Sequence, residues 1–415
     1  MSVLRPFRAV RPRKEYASRV AALPYDVMNS EEAAVMVRGN PYSFLHVDKA
    51  EIDLPAGVGL YDAAVYAKAA ENLAKLESEG ITAQDPKACL YLYRQIMNGR
   101  VQTGIVGCVA IDDYLNNVIK KHEHTRADKE ADRIRHVQAC DANTGPIFLC
   151  YERLEAIDAV IDRYLPLEPE YDFVTDDGIA TTIWVIAAEE DIAALTEGFK
   201  RIPSLYIADG HHRCASAVRV GQEKRAENPA HGGDEEYNFF LAVLFRADEL
   251  QIMDYNRVLK DTHGLSDAEL LARLSEIFTL AEHSGPYKPE FKHSFGLYLS
   301  GKWYKLTLKE GLCDENDPVG RLDVSLLQNH VIAPIFGIAD PRTDKRIDFI
   351  GGIRGLGELE RRCGTDGDMR VAFAMFPTTL DDLMAIADAG EVMPPKSTWF
   401  EPKLLSGLFV HKLSD

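Results

Sequence analysis

Leu205-Tyr206-Ile207-Ala208-Asp209-Gly210-His211-His212-Arg213-Cys214-Ala215-Ser216-Ala217-Val218 runs from a short apolar stretch through a glycine into small residues. The apolar run suits a buried strand, Gly210 can turn the backbone sharply, and the small residues suit a closely packed helix. Strand, turn, helix is the expected local order. The chemistry of such a turn is that of anions. A glycine lets backbone N–H groups approach a ligand, a helix N-terminus carries partial positive charge, and Arg213 adds a planar fork of donors. A cation in the first helical turn opposes the helix dipole, so Arg213 with two histidines there implies a compensating anion, phosphate above all. The plainer alternative is a helix start that Asp209 caps and whose histidines bond nearby backbone.

Outward from the turn, residues 181–187 read as a strand, 189–199 as a helix, and 238–245 as a buried strand with 250–259 as its partner. Upstream, Gly80 stands where a helix over 61–79 would be capped, and Asn98-Gly99 joins strands 89–93 and 104–111 into a hairpin. Residues 42–47 read as a strand, and 120–138 as a solvated helix of modest apolar face. Downstream, 267–278 and 323–332 read as helices, 295–308 as a hairpin and 371–376 as a strand. The expected fold class is α+β, with mixed sheets and flanking helices. The expected division is 1–170, a core at 171–260 that carries the turn, and 261–415.

Composition narrows the functions. The chain has 415 residues, 46% hydrophobic and 27% charged, which is soluble composition and enough for two or three domains at roughly 100–200 residues each. A net charge of -18 speaks against a nucleic-acid surface, which needs clustered Lys and Arg. The longest apolar stretch, 239–245, is far below the ~20 residues that span a bilayer. The first ten residues lack the apolar core of a secretory signal, and seven cysteines without a C-x-x-C pair suggest reduced thiols, so the expected compartment is the cytoplasm. A homodimer is expected only as the commonest assembly for a chain of this size.

Two nucleotide signatures fail. Gly296, Gly301 and Lys302 satisfy most of a phosphate-loop pattern, but Trp303 stands where the Mg²⁺-binding hydroxyl belongs and the segment alternates like a hairpin. Gly355 and Gly357 suggest a dinucleotide fingerprint, yet Glu360 takes the final glycine position. No flavin, NAD or haem signal is present. In Lys121-His122-Glu123-His124-Thr125, His122 and His124 would point to opposite sides of a helix, so zinc is unsupported there unless the segment is extended. Glu123 reads as a general base, a metal-bridging carboxylate or part of a solvated helix start. Lys396, Ser397, Thr398 and Lys403, in a proline-stiffened loop, could line an anion pocket or simply cover the surface.

These motifs carry a resemblance. Arg5-Pro6-Phe7, Pro24-Tyr25-Asp26-Val27, Asn40-Pro41-Tyr42-Ser43, His122-Glu123-His124-Thr125, Asp209-Gly210-His211-His212-Arg213 and Pro394-Pro395-Lys396-Ser397-Thr398 occur in the order of the DUF1015 family, over nearly the whole chain. That family name implies no activity. Locally, 205–217 is similar to the strand, G-x-x-R-x-x-A turn and helix of the ParB and sulfiredoxin superfamily, which includes free-serine kinases. Gly210 and Arg213 match, and Ser216 stands at the final alanine. Sulfiredoxin chemistry needs a cysteine directly after the glycine, where His211 stands, and the DNA-binding helices of partition proteins have no counterpart.

The resemblance implies a ParB/sulfiredoxin-like core that holds ADP, ATP or another nucleotide, with Mg²⁺, and transfers a phosphoryl group to a small hydroxylated metabolite such as serine. Gly210, His212, Arg213, Lys396, Ser397, Thr398 and Lys403 would bind phosphate. Glu123 would take the hydroxyl proton, His211 would donate to an oxygen, and Asp209 would hold Mg²⁺ or orient a histidine. A non-enzymatic nucleotide sensor and a phosphomonoester hydrolase remain as alternatives.

Overall fold

The computed structural model describes residues 1–414, which form two compact units: Met1–Leu250 with Pro402–Asp415, and Gln251–Glu401. Both are α+β. The first is built on a mixed sheet in the order Ile119–Lys120, Leu205–Asp209, Ile147–Tyr151, Phe239–Arg246, Arg100–Ala110, Leu90–Met97, Ala180–Ile186, Tyr171–Val174. Leu4–Arg5 also pairs with Arg100–Ala110. Phe239–Arg246 runs parallel to Ile147–Tyr151, whereas Leu205–Asp209 runs antiparallel to it. The central strand Phe239–Arg246 is almost wholly apolar and is buried on both faces. The hairpin of Leu90–Met97 with Arg100–Ala110 turns through Asn98 and Gly99, at φ 52° and 79°, the mirror-image geometry that matches strand twist.

Helices Glu155–Tyr164 and Glu189–Lys200 seal one side of this sheet through Ile157, Val160, Leu195 and Phe199, which join Leu149, Ile207 and Leu244 in one core. Helix Ala127–Cys140 packs between Ala63–Ser78 and His211–Glu227. The second unit is a six-stranded sheet, antiparallel throughout, in the order Phe278–His283, Lys302–Leu308, Ser294–Leu299, Val371–Met375, Tyr255–Leu259, Ile347–Gly351. Among the described residues, no helix is long and apolar enough to cross a membrane.

Three local expectations are corrected. Residues 42–47 form no strand: a turn leads into the helix Leu45–Asp48. The Asn40 side chain accepts from the Tyr42 amide, which bends the chain, and Phe44, Leu45 and Val47 are then buried together in a small satellite core. Residues 250–259 do not pair with 238–245, since Phe239–Arg246 is already flanked on both sides; Tyr255–Leu259 pairs with Ile347–Gly351 and Val371–Met375 in the other sheet. The charged helix begins at Ala127, and its inner face is not solvated: it buries Asp132, Arg133 and His136 beside Val137.

Candidate functional site

Strand Leu205–Asp209 ends in Gly210, at φ 92° and ψ 31°, and the chain enters helix His211–Glu227. Only glycine adopts this left-handed conformation without strain. Space there is also tight, because a Cβ at Gly210 would lie 3.1 Å from Nη2 of Arg213, whose side chain folds back over the turn. No side chain caps the helix. Its first N–H groups have no intrahelical carbonyl, and the dipole of a 17-residue helix adds partial positive charge at this end.

Arg213 Nη1 donates to the Pro146 carbonyl at 2.5 Å and Nη2 to Asp209 Oδ2 at 3.0 Å, while Nε is buried without a partner. The guanidinium therefore braces the turn from inside, with two of its five N–H donors engaged. Behind it lies a cavity of about 30 Å³ lined by Tyr25, Asp48, Arg133, His136, Thr144 and Arg213, water-sized and too small for a nucleotide. Lys403 reaches the other oxygen of Asp209, with Nζ 3.4 Å from Oδ1. Its segment is held along the sheet by Gln95, which donates to the Lys403 carbonyl, and by the Tyr93 hydroxyl, which accepts from the Leu405 amide. Burial works to raise the Asp209 carboxyl, but Lys403 and Arg213 outweigh it and hold the group below its ordinary value.

The 121–126 segment is irregular rather than helical, and it brings His122 against His211 with ring centroids 4.5 Å apart and planes at 89°. His211 Nδ1 lies 3.9 Å from Glu123 Oε2. Burial pushes His122 down to about 4, against the pull of Asp209, and holds His211 well below its ordinary value, helped by His122 and His212. Burial also lowers His212, less strongly opposed by Asp26. Both buried rings are thus neutral at physiological pH. Cys214 is fully buried, which pushes its thiol up and keeps it protonated, so it offers no thiolate nucleophile.

Asp209, Gly210, His211, His212, Arg213, Glu123 and Lys403 therefore gather in the first unit. Lys396, Ser397 and Thr398 belong to the second, where they form their own turn. Lys396 takes φ 61° with Nζ 5.4 Å from the Tyr255 ring centre, Arg257 donates to its carbonyl, and the Ser397 hydroxyl donates to Pro394.

Sequence reasoning missed the buried polar layer behind the turn. Arg133 stacks on Tyr25 at 4.0 Å and pairs with Asp132, the Thr144 hydroxyl donates to Asp48, and His136 Nε2 lies 3.1 Å from the Val47 carbonyl. Tyr25 was the available signal, since it sits in one of the family motifs and ends up against this layer.

Comparison with known proteins gives faint structural likenesses. Free serine kinase in complex with AMP is 16% identical, with 71% of this chain and 86% of that one covered and a TM-score of 0.34. SbnI with a C-terminal truncation from Staphylococcus aureus is 12% identical, with 72% and 85% covered and a TM-score of 0.37. A conserved hypothetical protein from Pyrococcus furiosus is 15% identical, with 71% and 90% covered and a TM-score of 0.34. No curated protein matches the chain. Residues 4–325, by contrast, match the profile described as protein of unknown function (DUF1015), and the chain belongs to that family.

Proposed function

We propose that this protein binds a nucleotide, ADP or ATP first, at the 209–213 turn and transfers a phosphoryl group to a small hydroxylated metabolite, with free serine the first acceptor to test. The observation that carries the reading is the uncapped start of helix His211–Glu227, entered through a left-handed Gly210 and bordered by Lys403 and Arg213. Main-chain N–H groups there would take phosphate oxygens, with Lys403 and the remaining N–H donors of Arg213 adding charge. Asp209, already paired with Arg213 and Lys403, would exchange one of them for Mg²⁺, which is commonly held by one or two carboxylates and the phosphates themselves. The P–O bond to the nucleotide breaks as the P–O bond to the acceptor oxygen forms, and Glu123, exposed where His122 and His211 beside it are buried, takes the hydroxyl proton.

The test incubates the purified protein with Mg²⁺ and ADP, ATP or CTP plus serine, and separately with phosphoserine, while phosphorus resonances are followed. Phosphoserine formed at the expense of a nucleotide supports the reading; nucleotide binding without turnover across a broad acceptor panel turns it into the sensor reading. Arg213→Ala is expected to weaken nucleotide binding at least about tenfold, the scale of one charge-assisted contact. Unchanged affinity in that variant removes Arg213 from the site.

A further inference from the structure

We infer that His122, His211 and Glu123 form a site for one zinc-like divalent cation. One donor atom from each of the three lies within 4.8 Å of the others. Tetrahedral zinc, with bonds of about 2.0–2.1 Å, separates its ligand atoms by about 3.3 Å. Closing the cradle therefore asks for a contraction of at most about 1.5 Å between any two of the donor atoms. A second observation points the same way. His122 is 1% exposed and His211 8%. Nε2 of His211 is buried without a hydrogen-bond partner, and the His122 ring, drawn only towards the Ile207 backbone, leaves one of its nitrogens without one. A neutral imidazole carries one donor and one acceptor, and buried polar groups are nearly always satisfied, so unpartnered nitrogens on two abutting rings beside a carboxylate mark the place of a missing ligand.

The donor set selects the class of cation. Two imidazoles with one carboxylate suit zinc and leave a fourth position open, whereas Mg²⁺ demands six oxygens in octahedral array. This site is distinct from the Mg²⁺ assigned to Asp209, and it does not depend on phosphoryl transfer. When loaded, it would occupy the carboxylate named above as the base.

The test uses the full chain carrying Cys313→Ser, which removes the thiol from the His293, Cys313 and Glu315 cluster, the other close group of such donors among the described residues. After EDTA treatment and desalting, zinc chloride is titrated in competition with a chromophoric chelator, without nucleotide. One zinc per chain is expected, undisplaced by millimolar Mg²⁺. His211→Gln and Glu123→Gln are each expected to weaken zinc at least tenfold, no less than the loss of an outer-shell partner costs. Far-UV circular dichroism of the metal-free variants should match the parent. If His211→Gln does not fold, Glu123→Gln decides alone. No zinc bound by the parent, or unchanged affinity in Glu123→Gln, overturns the inference. Nucleotide affinity measured separately on the zinc-free parent shows whether a failure belongs to this site or to the phosphate site.

Discussion

Asp323 shows how far one buried carboxyl can depart from its ordinary behaviour. It accepts from the His293 amide through both oxygens, at 2.8 and 3.1 Å, with Lys292 and Asp382 nearby. Burial pushes it up to about 7, against the pull of the His293 amide and Lys292 and with help from Asp382. The native state then holds a proton that the unfolded chain has already lost, so stability falls as pH rises from about 4 towards and through about 7. Asp323→Asn keeps an acceptor and removes the charge. Its unfolding free energy from urea titration should be close to that of the parent near pH 4 and higher at pH 8, by up to roughly 4 kcal/mol. Equal pH profiles for the two proteins would refute the assignment. At this scale Asp209 to Arg213 was legible in the sequence, because one short stretch carries the whole turn. The meeting of His122 with His211 was not, because no local pattern states which distant loop a helix start will face.

Among the elements, helix His211–Glu227 matters most, and Gly221 sets how closely it packs. A Cβ there would lie 2.4 Å from the Tyr237 carbonyl oxygen and 2.8 Å from Cδ1 of Ile111. Alanine gains about 1 kcal/mol of helix propensity, but a backbone oxygen cannot move aside. Gly221→Ala is therefore expected to destabilise by about 1–3 kcal/mol net, read from urea unfolding. Gly357→Ala, in helix Leu356–Cys363 with nothing within 4 Å of the added Cβ, should be neutral or stabilising. Equal effects of the two substitutions would show that packing at Gly221 is not the constraint. The Asn98-Gly99 hairpin and the strand before Asp209 followed from local pattern. The 42–47 segment did not, since burial of Phe44, Leu45 and Val47 in a satellite core overrode their strand propensity.

On the scale of the whole chain, the first unit is discontinuous: it ends at Leu250 and resumes at Pro402. The returning segment buries Leu404, Leu408, Phe409 and Val410 and pairs His411–Lys412 with Ala142–Asn143. It also delivers Lys403 to Asp209. Removing residues 402–415 should cost the first unit more than about 5 kcal/mol, since each lost core side chain of this size contributes about 2–5. That would show as a separate, earlier unfolding transition in calorimetry. An unchanged transition would mean that the segment only decorates the unit.

By itself the sequence determined the α+β character, the strand–turn–helix around Gly210 and the family, because each is written in contiguous residues whose spacing and side-chain chemistry act locally. The tertiary structure alone decided that Arg213 braces Asp209 and Pro146, that Lys403 arrives from the far end of the chain, and that two buried imidazoles meet a carboxylate. Those outcomes depend on which strands lie side by side in the sheet, and sheet pairing is settled by the burial of whole faces rather than by any one segment.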